Sequence, residues 1–527
     1  MLPSPSSSPR AVFDNCTNLP ISLAPVNPPK FLPTPPRDKA AKRSAHQDGP
    51  LPKRVKLSFD DESSEGSNSD SDAKSENTST NRRKTQKYSL YGTNSRSIMV
   101  PINRYGYFPQ PTRPILQSFV SSNKSDVFRC QSTDINTYLT LPYACSYTHG
   151  AKQGHLPILA VATEQGSIHL LNTSQRRDWD VEPQRAVIQA HNNGIFDIKW
   201  NNDDTLLATC SGDQSTHITC PITTTPLHAL RGHTSTVKCV AWDPCHHSLL
   251  SSGGRDGNIY IWDIRMAGEQ GDDGGPVLSP AISIIGAHEA PKARGRPRKG
   301  VPTPRGITNL LYPDADPYGL ISSGSFDGIL RYWDLRQPTN GRTSKTVKTK
   351  APPVLYSSPI DPTTLHGSRR SRGIIALAGG IGPTAGLVFG LGADSRIHTY
   401  TLPSLAAKTT SYMHKNLQGN SFYVGLSMSP CGYWLASGGT GALGSNFLFD
   451  VSSATSSLSA TRNQMGVELR GQIGEVGALD WAENSLATCA DDGTVRVWRP
   501  DIERYKSCME QPDEKRWDWS WTVDDVE

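Results

Sequence analysis

Gly253-Gly254-Arg255-Asp256-Gly257-Asn258-Ile259-Tyr260-Ile261-Trp262-Asp263-Ile264-Arg265 is the stretch around which the rest of the chain is organised. Asp256-Gly257 makes a tight turn, and Ile259 and Ile261 then alternate with Tyr260 and Trp262 as on a buried strand. Upstream, Arg231-Gly232-His233 precedes a second apolar run, Val237 to Trp242. Asp-Gly-like turns recur at Gln165, Asp213, Asp256, Asp327, Asp394, near Leu443 and at Asp492, each leading into a short apolar run. The gaps between them are 48, 43, 71 and 67 residues, then about 49 twice. Self-similarity at such a period marks a stack of small sheets, none of which buries its faces alone.

A unit running from Gly-His to Trp-Asp resembles one blade of a WD40 propeller, which takes roughly 40 to 45 residues. The expected fold is therefore all-β, a seven-bladed WD40 β-propeller over residues 141–500 behind a disordered N-terminal tail. The lead-in at 97–140 is expected to close the ring by pairing with the last blade. The two long gaps mark basic insertions, at about 267–305 and about 337–372. A short tail, 501–527, contains Trp517-Asp518-Trp519-Ser520-Trp521, whose alternation fits an edge strand or a docking peptide.

Composition agrees. Forty Pro, 45 Gly and 35% hydrophobic residues among 527 describe a loop-rich β protein with disordered attachments. A net charge of +5 permits anionic partners without requiring nucleic acid. The ten cysteines form no CxxC pair and no metal-ligand spacing, and Cys210, Cys239 and Cys489 sit in apolar strand patterns. That usage points to a reducing, intracellular compartment. Residues 1–10 carry no apolar core and no run approaches 18 apolar residues, so neither a signal peptide nor a membrane span is expected.

Residues 1–96 are too polar to repay ordering. Within them Lys42-Arg43 and Pro52-Lys53-Arg54-Val55-Lys56-Leu57 resemble a nuclear import signal, the other reading being a solvated charge cluster. The import residues would be Lys42, Arg43, Lys53, Arg54 and Lys56, and the expected location is the nucleus. An acidic-serine run at 60–76 follows as a flexible, phosphorylatable spacer.

His191, His233 and His288, with Asp213, Asp256 and Asp327 downstream, invite a catalytic reading. Their spacing instead fits a buried chain of His, strand Ser/Thr, turn Asp and Trp that ties each blade together. No nucleophile elbow, metal-binding cluster or phosphate-cradling loop is present in the sequence. The expectation is a non-catalytic protein with no cofactor, metal or small-molecule substrate.

The arginines after Trp-Asp stand apart. Asn258 to Asp263 is six residues, or about 20 Å at roughly 3.3 Å each, so Arg255 and Arg265 lie on opposite faces of the disc. Trp-Asp-x-Arg recurs once, as Trp333-Asp334-Leu335-Arg336. Folding does not require an Arg there, and two successive blades carrying one set two guanidinium forks side by side on one rim. Such forks suit a partner's carboxylates or carbonyls. The alternative is two rim arginines occupied by Asp263 and Asp334. On the other face Arg255, Phe326, Phe422 and Tyr423 are candidate contacts.

Trp-Asp-x-Arg on consecutive blades resembles the mark of substrate receptors of the cullin-4 RING ubiquitin ligase. The likeness is closer to the Denticleless-type receptors, through Ala190-His191-Asn192-Asn193-Gly194-Ile195-Phe196-Asp197-Ile198-Lys199-Trp200, Ser211-Gly212-Asp213-Gln214, residues 253–265 and Gly286-Ala287-His288. Asn420-Ser421-Phe422-Tyr423-Val424 is similar to their sixth blade. The resemblance spans about 115–500 and is loosest in blades 1, 5 and 7. It implies docking to a damage-binding adaptor through Arg265, Arg336, Asp263 and Asp334. It also implies recognition of degron-bearing replication and cell-cycle proteins on PCNA, and their ubiquitination in S phase and after DNA damage. Animal members carry a PCNA-binding peptide in a long C-terminal extension; no such motif is recognised in these 527 residues, so independent docking to PCNA is not expected of them. The long tail here is N-terminal, a shape suggesting a fungal-like version. Arg294-Gly295-Arg296-Pro297, followed by Arg298 and Lys299, resembles an AT-hook core able to touch DNA weakly. The competing functional class is a nuclear WD40 scaffold binding histones or chromatin-assembly factors without ligase activity.

Overall fold

Alternation along Ile259–Asp263 divides its side chains between two interfaces, and this division builds the ring. In the computed structural model Ile259, Tyr260, Ile261 and Trp262 are all buried. Tyr260 and Trp262 pack with Ala208, Cys210 and Ile218 of the preceding sheet. Ile259 and Ile261 pack with Ile307, Leu310 and Leu320 of the following one. Fully burying each such side chain contributes about 1.5–3 kcal/mol, so every blade is stabilised chiefly by its two neighbours.

The structure describes residues 112–134, 138–177, 179–270, 276–289, 305–336, 352, 354–365, 368, 370–441, 444–455, 464–511 and 522–523. Seven sheets, antiparallel except for two parallel edge pairings, follow in chain order. Their innermost strands are Pro142–Tyr147, Ile195–Trp200, Val237–Trp242, Ile307–Leu311, Ile374–Gly379, Leu426–Met428 and Val476–Trp481, defining blades 1 to 7. The residue after the turn Asp or its equivalent is left-handed in six blades, at Gly166, Gln214, Gly257, Ser395, Gly444 and Gly493. The lead-in joins the last blade: Phe119–Val120 and Val127–Arg129 both pair with Thr494–Pro500.

The long gaps are only partly insertions. The span expected as a basic insertion at about 267–305 holds the outer strand of blade 3, Ile282–Ile284, paired with Ile259–Asp263. It also holds Pro276–Leu278, which runs parallel to Thr225–Arg231 and widens blade 2. Likewise Val354–Ser357, inside the span 337–372, is the outer strand of blade 4. A propeller blade needs a fourth strand, and at three or four residues these are too short to show a periodic pattern in sequence. The tail is structured in part. Asp501 caps the helix Ile502–Glu510 by accepting from the Arg504 amide at 2.8 Å, and Thr522–Val523 pairs with Val467–Leu469 of blade 6. The import cluster, the AT-hook-like residues and Trp517 to Trp521 lie outside the described residues.

Candidate functional site

Blade 3 contains the expected tie. His233 Nδ1 lies 3.1 Å from Asp256 Oδ2, His233 Nε2 lies 2.8 Å from Ser252 Oγ, and Trp262 Nε1 donates to Ser252 Oγ at 2.8 Å. Blade 2 keeps His191 with Asp213 at 2.8 Å and Thr209 at 2.9 Å. Thr219 occupies the Trp position opposite Leu207, and His217 stacks on His191 at 4.0 Å. Burial raises the Asp213 carboxyl, but hydrogen bonds with His191 and Ser215 outweigh it and hold the group well below its ordinary range.

Blade 4 departs from the expected chain. His288 Nε2 meets Ser322 Oγ at 2.9 Å and Trp333 Nε1 donates to that oxygen at 2.8 Å. Asp327, however, pairs with Arg305 Nη1 at 3.2 Å, and His288 Nδ1 is buried without a partner among the described residues. A guanidinium entering blade 4 outcompetes a neutral imidazole for the carboxylate. Burial first, then the nearby Arg331, lowers the His288 pKa to about 3. These contacts bind each histidine into its blade, and among the described residues no group of three or more His, Cys, Asp or Glu could hold a metal.

The two rim arginines occupy equivalent positions. Ile264 N–H donates to Ser248 O, and Leu335 N–H to Tyr318 O, at the same end of adjacent blades. Arg265 grips Asp263 with Nε at 2.9 Å and Nη2 at 2.7 Å. Arg336 reaches Asp334 with Nε at 2.9 Å. Both pairings foreseen as the alternative exist, yet the two side chains remain 71% and 59% exposed. Each fork is therefore oriented by its own carboxylate while its outer edge faces solvent.

On the opposite face the chain assembles something the sequence did not disclose. Arg255 donates its amide to Thr236 O, so the start of each inner strand lies on the Arg255 face. There Tyr143, Phe196 and Tyr423 from blades 1, 2 and 6 gather at the channel mouth, with ring centroids 5.1, 5.7 and 5.9 Å apart. The Lys238 ammonium sits 3.7 Å from the Phe196 centroid and 5.1 Å from that of Tyr423. Burial, with repulsion from Arg255, lowers its pKa to about 8. Of the four candidates for this face, Arg255, Phe422 and Tyr423 share one depression with Lys238. Phe326 does not line it; its ring lies 4.1 Å from the Arg305 guanidinium. Tyr143, Phe196 and Lys238 were missed, although each is the second residue of an inner strand.

Charge on this face is divided. The residue ahead of the turn pair is Glu164 in blade 1, Arg255 in blade 3 and Asp491 in blade 7. Burial first, then Glu164 and Asp491 among its neighbours, push the Tyr143 phenol up to about 12. Tyr423 is raised by burial and then by Glu475 and Asp491. Acids thus flank the aromatic group on the blade 1 and 7 side, and cations on the blade 3 and 4 side.

The model for the WD domain, G-beta repeat, matches residues 182–218, 224–263 and 466–499. The Denticleless protein homolog of Danio rerio is 30% identical over 372 residues, covering 68% of this chain and 51% of that protein. In its WD40-repeat region the chain is similar to the Denticleless proteins. Denticleless protein homolog A of Xenopus laevis is 29% identical over 376 residues, 68% of this chain and 48% of its own. Protein lethal(2)denticleless of Drosophila melanogaster is 28% identical over 372 residues, 66% and 44% respectively. The chain thus spans about half the length of the curated Denticleless relatives it matches.

Proposed function

We propose that this chain is the substrate-recognition subunit of a cullin-4 RING ubiquitin ligase and has no catalytic role of its own. The observation that carries the reading is the pair of exposed guanidinium forks, Arg265 and Arg336, at equal register on adjacent blades of a Denticleless-related propeller. Asp263 and Asp334 hold the forks in place, which lowers the ordering cost when a partner binds. The Arg265 face docks the damage-binding adaptor, and the Arg255 face receives degron-bearing replication and cell-cycle proteins on PCNA for ubiquitination. Lys42, Arg43, Lys53, Arg54 and Lys56 direct the chain to the nucleus, and Arg294, Arg296, Arg298 and Lys299 add a weak contact to DNA beside PCNA. The test is a pulldown of wild type beside the Arg265→Ala/Arg336→Ala double variant, probed for the cullin-4 adaptor. Binding by wild type and loss in the folded double variant is the expected result. Failure of wild type to bind removes the ligase assignment.

A further inference from the structure

The depression between blades 3, 4 and 6 on the Arg255 face has a volume of about 430 Å³ and is lined by Lys238, Arg255, Thr308, Ser325, Phe422 and Tyr423. Its two cations are neighbours, and neither has an ion pair among the described residues. Among the described residues Arg255 is exposed and makes no side-chain hydrogen bond, whereas Lys238 is half-buried against aromatic faces. Folding gathers two like charges and leaves them uncompensated, an arrangement that costs stability unless an anion completes it. We propose that this depression binds a phosphorylated serine or threonine of a peptide partner, with Lys238 and Arg255 on the phosphoryl oxygens and Phe422 and Tyr423 against a neighbouring apolar side chain. The inference rests on the reading of this face as the substrate face and names the chemistry it takes.

Charge favours a phosphoryl group. Two cations balance a group carrying about −1.5 to −2 at pH 7, where a single carboxylate leaves one uncompensated. Arg255 offers the planar fork and Lys238 the point charge that phosphate oxygens accept. The same face argues against a long polyanion. Glu164, Glu475 and Asp491 border the aromatic cluster on its far side, so a nucleic-acid backbone extended across the mouth would meet carboxylates. Phe422 and Tyr423 are 61% and 40% exposed, leaving apolar area for a side chain next to the phosphorylated one.

The full chain is applied to an immobilised degenerate peptide array with a fixed central phosphothreonine, threonine or glutamate. Lys238→Met, Arg255→Gln and the Arg265→Ala/Arg336→Ala double variant are compared, each checked for its folded circular dichroism spectrum. The expected result is at least tenfold greater retention by phosphothreonine than by threonine, with glutamate between them. Lys238→Met and Arg255→Gln each lose most of that preference, whereas the double variant keeps it. Equal retention by the three arrays, or a preference that survives in Arg255→Gln, overturns the proposal. So does competition by single-stranded DNA that is stronger than by phosphothreonine peptide. Since the double variant breaks only adaptor docking, a failed pulldown with an intact phosphothreonine preference removes the ligase reading and leaves this site. The reverse pattern removes the site and leaves the ligase.

Discussion

The Lys238 ammonium lies 3.7 Å from the centre of the Phe196 ring, across the seam between blades 2 and 3, and is held by aromatic faces instead of a carboxylate. The groups acting on it are Arg255, which repels it, and the Cys210 and Cys239 thiols, behind the larger effect of burial. The resulting pKa of about 8 lies below the ordinary lysine value, so between pH 8 and about 10.5 the unfolded chain binds more protons than the folded one. Stability therefore rises with pH across that window, and the full penalty applies below pH 8. Lys238→Met removes the penalty. Its melting temperature is expected to exceed that of wild type at pH 7, with the difference closing toward pH 10.5. A difference independent of pH would assign the effect to packing and not to charge.

Ser252 is the joint of blade 3, because its hydroxyl serves both Trp262 Nε1 and His233 Nε2 at 2.8 Å. Ser252→Ala leaves two buried groups unsatisfied, each costing about 1–3 kcal/mol. In blade 2 the equivalent hydroxyl, Thr209, serves His191 but no indole. Urea denaturation is expected to show Ser252→Ala as the more damaging change and Thr209→Val as roughly half as severe.

The blades were legible because strands such as Ile259–Asp263 are buried on both sides and six of the turns place a left-handed residue after the Asp position, two strong local signals that Ile259 to Trp262 and Gly257 carry together. The rim arginines were legible for the same reason: they sit at a fixed offset from the Trp. The channel-mouth cluster was not. Val237-Lys238-Cys239-Val240-Ala241-Trp242 and Ile195-Phe196-Asp197-Ile198-Lys199-Trp200 share a register in which the first, fourth and sixth residues are buried. The second residue is left facing the channel. Which channel-facing residues meet depends on ring closure, which brings residues as distant as 143 and 423 to 5.1 Å. Nor does spacing reveal a competition such as that of Arg305 and His288 for Asp327, since His288 and Asp327 keep the spacing of an intact blade tie.

Phe119 is the keystone of ring closure. It is 1% exposed, and its ring stands edge-on to Trp434 at 5.9 Å and to Trp481 at 5.7 Å, while Val120 pairs with Arg499. Phe119→Ala removes an aromatic side chain from between blades 6 and 7, a change that costs about 3–5 kcal/mol. Hydrogen exchange is expected to accelerate first in Thr494–Pro500 and Asn446–Asp450, with blades 3 and 4 following only at global unfolding. Uniform acceleration across all seven blades would mean that closure is not locally held by this residue.

Three histidines make the fold sensitive to acid. Burial lowers His169 and His217 to about 4 and His288 to about 3, with Arg185, His191 and Arg331 respectively adding repulsion. All three are neutral in the folded chain, whereas in the unfolded chain they protonate near 6.5. Below pH 6.5 the unfolded state therefore binds more protons, and stability falls as pH drops from 6.5 toward 4. His288→Gln keeps a polar partner for Ser322 but removes one of the protons taken up on unfolding. Urea denaturation at pH 7, 6, 5 and 4.5 is expected to show a variant less stable at pH 7 with a shallower acid slope. The slope should fall by up to about 1.4 kcal/mol per pH unit, the share of one proton. An unchanged slope would mean that His288 is already protonated in the folded chain, which its burial beside Arg331 opposes.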